Sequence, residues 1–446
     1  MKTMVLDNWK QKRIVILGFG KEGQSTLIFL RKHFPAKRIF IADKDDSLPE
    51  KFNDLKDVEW ITGPAYLENI YTFEIIIKSP GITLQESSTC LITSQTDLFL
   101  QLYRKQTIGV TGTKGKSTTS SLIAHIIRQE TPETMLIGNI GVPPLSKSDD
   151  INEHTIVVQE ISAHQLEHIK VAPHIAVLLN LYEEHLDHFK DSASYFSAKE
   201  NILLRQKQND FSIVNAEPGL NGSVNLELPL MSQLKKFALD YSEGISAFVS
   251  NGSIHVAADK EAEIYSLETF KLRGIHNVLN AMAAILATSL AGIGHQAIQK
   301  GLDTFEGLPH RLQFVTEKNG VTFYNDSIST VPETTIRALE TLDNVKTLIL
   351  GGHDRGLTYG SLYKYLEKSN VENLIFTGPA GKRMSQEYSG KQLKTSLEDM
   401  NKIIGYAVKH TGNGAVCLLS PAASSYDRYE NFEKRGQAFK DAIKSF

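Results

Sequence analysis

At 446 residues the chain has room for about two to four domains, each able to bury its own core. Hydrophobic residues make up 41% and charged residues 22%, the balance of a soluble globular protein, and a net charge of −3 argues against a basic surface for nucleic acid. The two cysteines, Cys90 and Cys417, are too few and too far apart for a disulfide framework or a zinc cluster, and are expected to be buried thiols in a reducing compartment. Met1 to Arg13 lacks an apolar core of signal-peptide length, and the most apolar helical stretch, Ala281 to Ala291, is too short to cross a bilayer. The expectation is a cytoplasmic protein with no membrane or nucleic-acid partner, and a monomer by default.

The first segment opens with a strand at Arg13-Ile14-Val15-Ile16-Leu17, then Gly18-Phe19-Gly20-Lys21-Glu22-Gly23, then a helix through Leu27, Leu30 and Phe34. A second strand, Arg38 to Ala42, delivers Asp43. This matches the dinucleotide fingerprint, with an acid placed for a ribose hydroxyl. Alone it would indicate an NAD-dependent dehydrogenase; the bland alternative is glycines used only for tight strand-to-helix packing. A third strand, Phe73 to Ile77, runs into Lys78-Ser79-Pro80-Gly81, a turn at the strand end where open α/β sheets bind ligands.

The chain leaves this unit near Asp97 to Gln106. It then reads Val110-Thr111-Gly112-Thr113-Lys114-Gly115-Lys116-Ser117-Thr118, after the apolar run Thr107 to Val110 and before a helix through Leu122, Ile123, Ile126 and Ile127. Strand, glycine loop and helix N-terminus turn backbone N–H groups toward a phosphate. Lys116 can reach the terminal phosphates of a nucleoside triphosphate, and Ser117 is placed for Mg2+. The strict pattern fails by one position, because Val110 stands where glycine is required. The alternative is a polar turn with Ser117 or Thr118 as helix cap.

A strand from Thr155 to Gln159 delivers Glu160, followed by Ser162, His164 and Gln165. Another, His174 to Leu179, delivers Asn180 and then Glu183-Glu184-His185-Leu186-Asp187-His188. Parallel strands ending in polar residues place them on one sheet edge beside the phosphate loop, where an acid would hold magnesium. The 183–188 cluster also reads as a solvated loop, and Lys199 by itself as a surface residue. Asn251-Gly252 between two short runs signals a hairpin. Gly274 to Asn280 starts the alanine-rich helix, its polar groups serving either a base or a cap.

Phe305 to Arg311 reads as a linker. Beyond it strands at 321–324, 347–350, 373–376 and 415–419 each end in small and polar residues, among them Asn325-Asp326-Ser327, Gly351 to Gly356, Thr377-Gly378 and Ser420 to Asp427. Three α/β units with ligand-like edges suggest an enzyme that binds three parts.

In combination these motifs resemble the Mur ligase family over essentially the full length. The resemblance rests on Gly112 to Thr118, Gly138-Asn139-Ile140-Gly141, Glu160 to Glu167, His185-Leu186-Asp187, Lys199, His276-Asn277, Gly307 to Arg311, Asn325 to Ser327, and Leu419 to Ala422 with Asp427, Asn431, Phe432, Glu433, Arg435 and Gly436. It implies an α/β protein of three domains: a Rossmann-like UDP-binding domain (1–101), a central ATP-binding domain with a mixed sheet (102–308) and a Rossmann-like amino-acid-binding domain (309–446), hinged near Gln101 and Leu308. It implies an ATP-dependent ligase that adds glutamate to UDP-N-acetylmuramoyl-L-alanine through an acyl phosphate, in peptidoglycan precursor synthesis. Gly20, Lys21, Glu22, Gly23, Asp43, Ser79, Pro80 and Gly81 would then hold UDP, with Asn139, Gln165 and His185 near the muramoyl part. Gly112 to Thr118, Asn277, Arg311 and Asp326 would hold ATP, and Thr330, Arg355, Ser425, Tyr426 and Phe432 the amino acid. Two Mg2+ sites are implied, one on Ser117 and Glu160 and one on His185 and a carbamylated Lys199; Lys116, Glu160, His185 and Lys199 would be catalytic. Two residues depart from the family: Lys114 stands where asparagine is common, and Ile328 where D-glutamate enzymes carry lysine. Arg355 could supply that cation, and L-glutamate is the alternative substrate.

Overall fold

The computed structural model describes residues 6–85, 87–184, 188–257, 263–272 and 274–446. The chain forms two compact units, Met1–Phe305 and Glu306–Phe446.

The first unit holds two sheets. One has five parallel strands in the order Val58–Thr62, Ile39–Asp43, Ile14–Leu17, Ile75–Lys78, Leu91–Ser94. Its central strands Ile14–Leu17 and Ile75–Lys78 are buried along their whole length, as unbroken apolar runs require when helices cover both faces. The other has nine strands and is mixed. Six are parallel neighbours, Gln233–Phe237, Phe211–Asn215, Ile175–Leu178, Thr107–Thr111, Ile156–Glu160 and Thr134–Gly138. Strand Ile245–Ser250 extends them in parallel, and Ser253–Val256 and Glu263–Ser266 follow antiparallel. The expected hairpin is present: Asn251 and Gly252 both take positive φ between Ile245–Ser250 and Ser253–Val256. The helices Lys116–Ile127 and Ile275–Leu290 pack on this sheet, the second burying Leu279 through Thr288 in the core.

The expected hinge near Gln101 is not a linker. Gln101 lies in the helix Gln95–Tyr103, capped by the Ser94 hydroxyl, which accepts from the Asp97 backbone N–H. Leu98, Phe99 and Tyr103 share one core with Phe29 and Leu30 of the first sheet's helix and with Ile137 and Val157 of the second sheet. Cys417 is buried, but Cys90 is only partly so, sitting just before the edge strand Leu91–Ser94 rather than inside an element.

The second unit has one six-stranded sheet, ordered Gln313–Lys318, Val321–Asn325, Ala415–Leu419, Val345–Gly351, Asn373–Thr377, Leu393–Ser396. All pairs are parallel except the first, an antiparallel edge. The strand C-terminal ends therefore share one edge, as expected. No helix among the described residues is long and apolar enough to cross a membrane.

Candidate active site

The glycine loop is a phosphate cradle in shape. The strand Thr107–Thr111 ends at Gly112, and the helix begins at Lys116 with Gly115 as its cap residue. No side chain caps that helix, so the cap reading of Ser117 and Thr118 does not hold and its first-turn N–H groups face the loop. Gly115 takes φ +83°, and a Cβ there would lie 2.6 Å from the Asn280 side-chain oxygen. The loop is held from the neighbouring strand end: Thr113 N donates to the Asn180 carbonyl at 2.9 Å and Lys114 N to Asn180 Oδ1 at 2.8 Å. The Thr113 hydroxyl donates to the Tyr182 carbonyl at 3.1 Å, and Lys114 pairs with Glu184. Lys116 Nζ folds over the loop, donating to the carbonyls of Gly112 at 2.8 Å and Thr113 at 2.9 Å. Asn277 joins this place through Asn280, whose amide donates to Asn277 Oδ1 at 3.2 Å. Asn180 and Asn280 were not among the expected site residues. Asn280 lies one helical turn after Asn277, a spacing that could have found it.

Glu160 ends the strand next to Thr107–Thr111 and is 2% exposed. Its Oε1 accepts from Asn139 Nδ2 at 2.8 Å, while its Oε2 is buried with no hydrogen-bond partner among the described residues. A buried carboxylate oxygen without a donor is costly unless a cation meets it, so Glu160 fits a Mg2+ ligand. Lys199, on the helix Ser192–Leu204, is 1% exposed and not the surface residue its isolated sequence suggests. Its amine donates to the Gly112 carbonyl at 3.0 Å and lies 4.9 Å from the centre of the Tyr195 ring. Burial, with the nearby Lys116 charge, pushes its proton affinity well below that of an ordinary lysine, against the pull of Glu184 and Glu160. His185 lies outside the described residues.

In the first sheet, Gly20 caps the helix Lys21–His33, and Gly23 lets that helix pack so closely that a Cβ would meet the Gly18 carbonyl oxygen at 2.1 Å. Asp43 binds back to the loop, accepting from Phe19 N at 2.7 Å and Asp45 N at 3.0 Å. The Ser79 hydroxyl donates to the Gly18 carbonyl at 3.1 Å, bringing Ser79-Pro80-Gly81 beside the glycines. Lys21 is exposed. Polar contacts join this sheet to the central one, two of them at expected residues or their neighbours. Gln165 Nε2 donates to Glu22 Oε1 at 2.8 Å, and the buried Lys78 reaches Glu167 Oε2 at 3.0 Å. Burial raises the Glu22 pKa, opposed by Gln165 and Lys78. Glu22 and Gln165, expected at the UDP and muramoyl sites, thus meet, whereas Asn139 lies against Glu160 beside the glycine loop.

The remaining expected residues lie in the second unit. Asp326 is 3% exposed at the end of Val321–Asn325, accepting from the Ser420 hydroxyl at 2.8 Å and the Leu312 N–H at 3.1 Å. Burial pushes its pKa up to about 6, while Ser329, Ser420, Leu312 and Arg311 oppose the shift. Arg355 Nη2 donates to the Thr330 carbonyl at 3.1 Å, and the Ser327 hydroxyl to the Phe432 carbonyl at 2.8 Å. Ser425 is buried and Tyr426 exposed. The hub missed by the expected site is Arg435, 3% exposed, which donates to Ser327 Oγ at 2.9 Å, Ser327 O at 2.8 Å and Ala423 O at 3.0 Å. Burial lowers its pKa to about 10.

Three family profiles match in order: the MurD-like N-terminal domain over residues 12–96, the Mur ligase middle domain over 110–288 and the Mur ligase glutamate ligase domain over 310–423. A protein of Ruminiclostridium cellulolyticum named UDP-N-acetylmuramoylalanine--D-glutamate ligase is 33% identical, covering 97% of both chains. The same-named protein of Lacticaseibacillus casei is 33% identical, covering 98% of this chain and 97% of its own. Among solved structures, MurF from Acinetobacter baumannii matches with TM-score 0.54 and 17% identity, over 83% of this chain and 85% of that one. MurF ligase from Thermotoga maritima in complex with ADP matches with TM-score 0.52 and 18% identity, over 97% of this chain and 98% of that one. The structural matches speak for the fold alone, whereas the full-length sequence matches and the ordered profiles speak for kinship. This chain belongs to the Mur ligase family.

Proposed function

We propose that this protein is an ATP-dependent ligase that joins D-glutamate to UDP-N-acetylmuramoyl-L-alanine, a step of peptidoglycan precursor synthesis. The observation that carries the reading is the convergence of two lysine amines on one carbonyl of the glycine loop, Lys116 at 2.8 Å and Lys199 at 3.0 Å from Gly112 O. A carboxylate is a poor electrophile, so it attacks the γ-phosphate of ATP and ADP leaves. The glutamate amine then adds to the acyl carbon, loses a proton and expels phosphate. Charge builds on the transferring phosphoryl group, which is where Lys116 and the loop N–H groups would act.

Ser117 and Glu160 would hold one Mg2+, which neutralises triphosphate charge when bound. Lys199 is proposed to react with CO2 as the neutral amine its burial favours, its nitrogen bonding the CO2 carbon and releasing one proton to solvent; the resulting carbamate anion would, with His185, hold a second Mg2+. The fingerprint Gly20 to Gly23 with Asp43 and Ser79 to Gly81 would bind UDP rather than NAD, since a helix N-terminus serves either pyrophosphate. Asn139, Gln165 and His185 would line the muramoyl part, Asn277, Arg311 and Asp326 the adenosine, and Thr330, Arg355, Ser425, Tyr426 and Phe432 the glutamate. Domain limits at 101/102 and 308/309 accompany this assignment, the first as a change of binding role within the continuous helix Gln95–Tyr103 rather than as a linker. The relatives named for D-glutamate support that isomer over the alternative, L-glutamate on the same acceptor, although Ile328 stands where the family resemblance places a lysine.

Lys116→Ala tests the core of the reading. It should abolish acceptor-dependent ADP release, and unchanged turnover would remove the proposal.

A further inference from the structure

The second unit contains an arginine–carboxylate clamp that no assigned role uses. The strand Val345–Gly351 ends in Gly351-Gly352, and the loop after it carries His353, Asp354, Arg355 and Gly356. Arg383, on the helix Gly378–Glu387, grips Asp354 with two bonds, Nε to Oδ2 at 2.7 Å and Nη2 to Oδ1 at 2.8 Å. The same Nη2 donates to the Leu357 carbonyl at 2.8 Å, and Gly356 N donates to Asp354 Oδ1 at 2.9 Å. Arg383 is itself held, donating to Glu387 at 3.0 Å and lying 4.9 Å from the centre of the buried Tyr359 ring. On the other side, His353 N donates to the Ser424 carbonyl at 2.8 Å.

Residues 353, 354, 356 and 357 are therefore pinned on both sides of Arg355, whose guanidinium reaches the Thr330 carbonyl at 3.1 Å. Glycines at 351, 352 and 356 would otherwise leave this loop wide backbone freedom. A planar guanidinium can hold both carboxylate oxygens and a carbonyl at once; an ammonium cannot match that fork.

We infer that Arg383 is a positioning residue for the amino-acid substrate: through Asp354 it fixes the loop so that Arg355 stands at Thr330 and meets a carboxylate of the incoming glutamate. The inference rests on the proposed role of Arg355 as a glutamate ligand. Arg383 touches no substrate in this arrangement and acts only through the loop.

Steady-state kinetics on the full-length enzyme test it, varying the glutamate isomer that supports turnover at saturating ATP and acceptor, and in a second series varying ATP at saturating glutamate and acceptor. Arg383→Lys keeps the charge and the helix but loses the fork. It should raise the glutamate KM about tenfold while the ATP KM stays within about twofold, a split that general loosening of the fold does not produce. Asp354→Asn should shift the same constant in the same direction. Arg355→Ala should raise the glutamate KM more, and adding Arg383→Lys to it should cost nothing further, because both act through one group. A glutamate KM within twofold of wild type in Arg383→Lys, with a raised one in Arg355→Ala, overturns the inference and leaves the glutamate site standing. Multiplying effects in the double variant overturn it also. An unchanged glutamate KM in Arg355→Ala overturns the reading on which the inference rests.

Discussion

Lys199 separates function from stability more sharply than any other residue of the candidate site. Its side chain is 1% exposed, a rare state for lysine, and its amine makes a 3.0 Å bond to the Gly112 carbonyl. Replacement by methionine keeps the length and most of the apolar stem while removing the amine. One hydrogen bond is lost, a net cost of about 1 kcal/mol. The carbonyl is not left bare, because Lys116 Nζ still donates to it at 2.8 Å. Against that loss stands the removal of a buried amine whose charged form is disfavoured by burial and by Lys116. The expected balance is a protein as stable as wild type or more so. Activity should move the other way. Loss of the proposed carbamate removes a ligand of a Mg2+ that would meet the developing phosphoryl charge, at a cost of about 3–4 kcal/mol, or on the order of 10²–10³ in kcat. Thermal unfolding and ADP release on Lys199→Met read both quantities. Activity within tenfold of wild type, or a destabilisation above about 2 kcal/mol by loss of packing alone, would show the amine to be structural and refute the reasoning.

Two further predictions concern buried acids. The Asp326 carboxyl titrates at about 6 in the fold against an ordinary value of 3.8, so the folded chain binds its proton more tightly than the unfolded one. Its contribution is fully present below the unfolded value and is lost as pH rises through about 6, by about 3 kcal/mol over the roughly two-unit shift. Urea unfolding of wild type and Asp326→Asn should diverge across that window, and parallel curves would exclude the effect. Glu160→Gln should abolish the extra thermal stabilisation that Mg2+ adds to ATP, since the unpartnered Oε2 is then no longer anionic; an undiminished Mg2+ effect would place the metal elsewhere.

Much of this architecture is legible in the sequence because buried parallel strands are apolar runs. Ile14–Leu17, Ile175–Leu178 and Ala415–Leu419 can be read directly, and each delivers polar residues to the sheet edge. Most strands that escape reading are polar or edge elements, although the buried interior strand Phe211–Asn215 escapes as well. Gln233–Phe237 carries two lysines, and Leu393–Ser396 is largely exposed, so neither shows an apolar run or strict alternation. Local motifs put the glycine loop, Glu160 and the fingerprint at the strand ends where the structure has them. Partnerships across the chain leave no local mark: Glu22 and Gln165 meet across 143 positions, and Arg435 reaches Ser327 across 108. Lys199 shows the same limit, for a helix with lysine on it looks solvated until the loop it packs against is known.

The most direct test of the account is ADP release with UDP-N-acetylmuramoyl-L-alanine, ATP and Mg2+, run in parallel with D-glutamate and with L-glutamate. The account predicts release that requires the acceptor and D-glutamate together. Release with L-glutamate alone would keep the chemistry and overturn the stereochemical assignment at Ile328 and Arg355. Absence of release with either isomer would contradict the central claim.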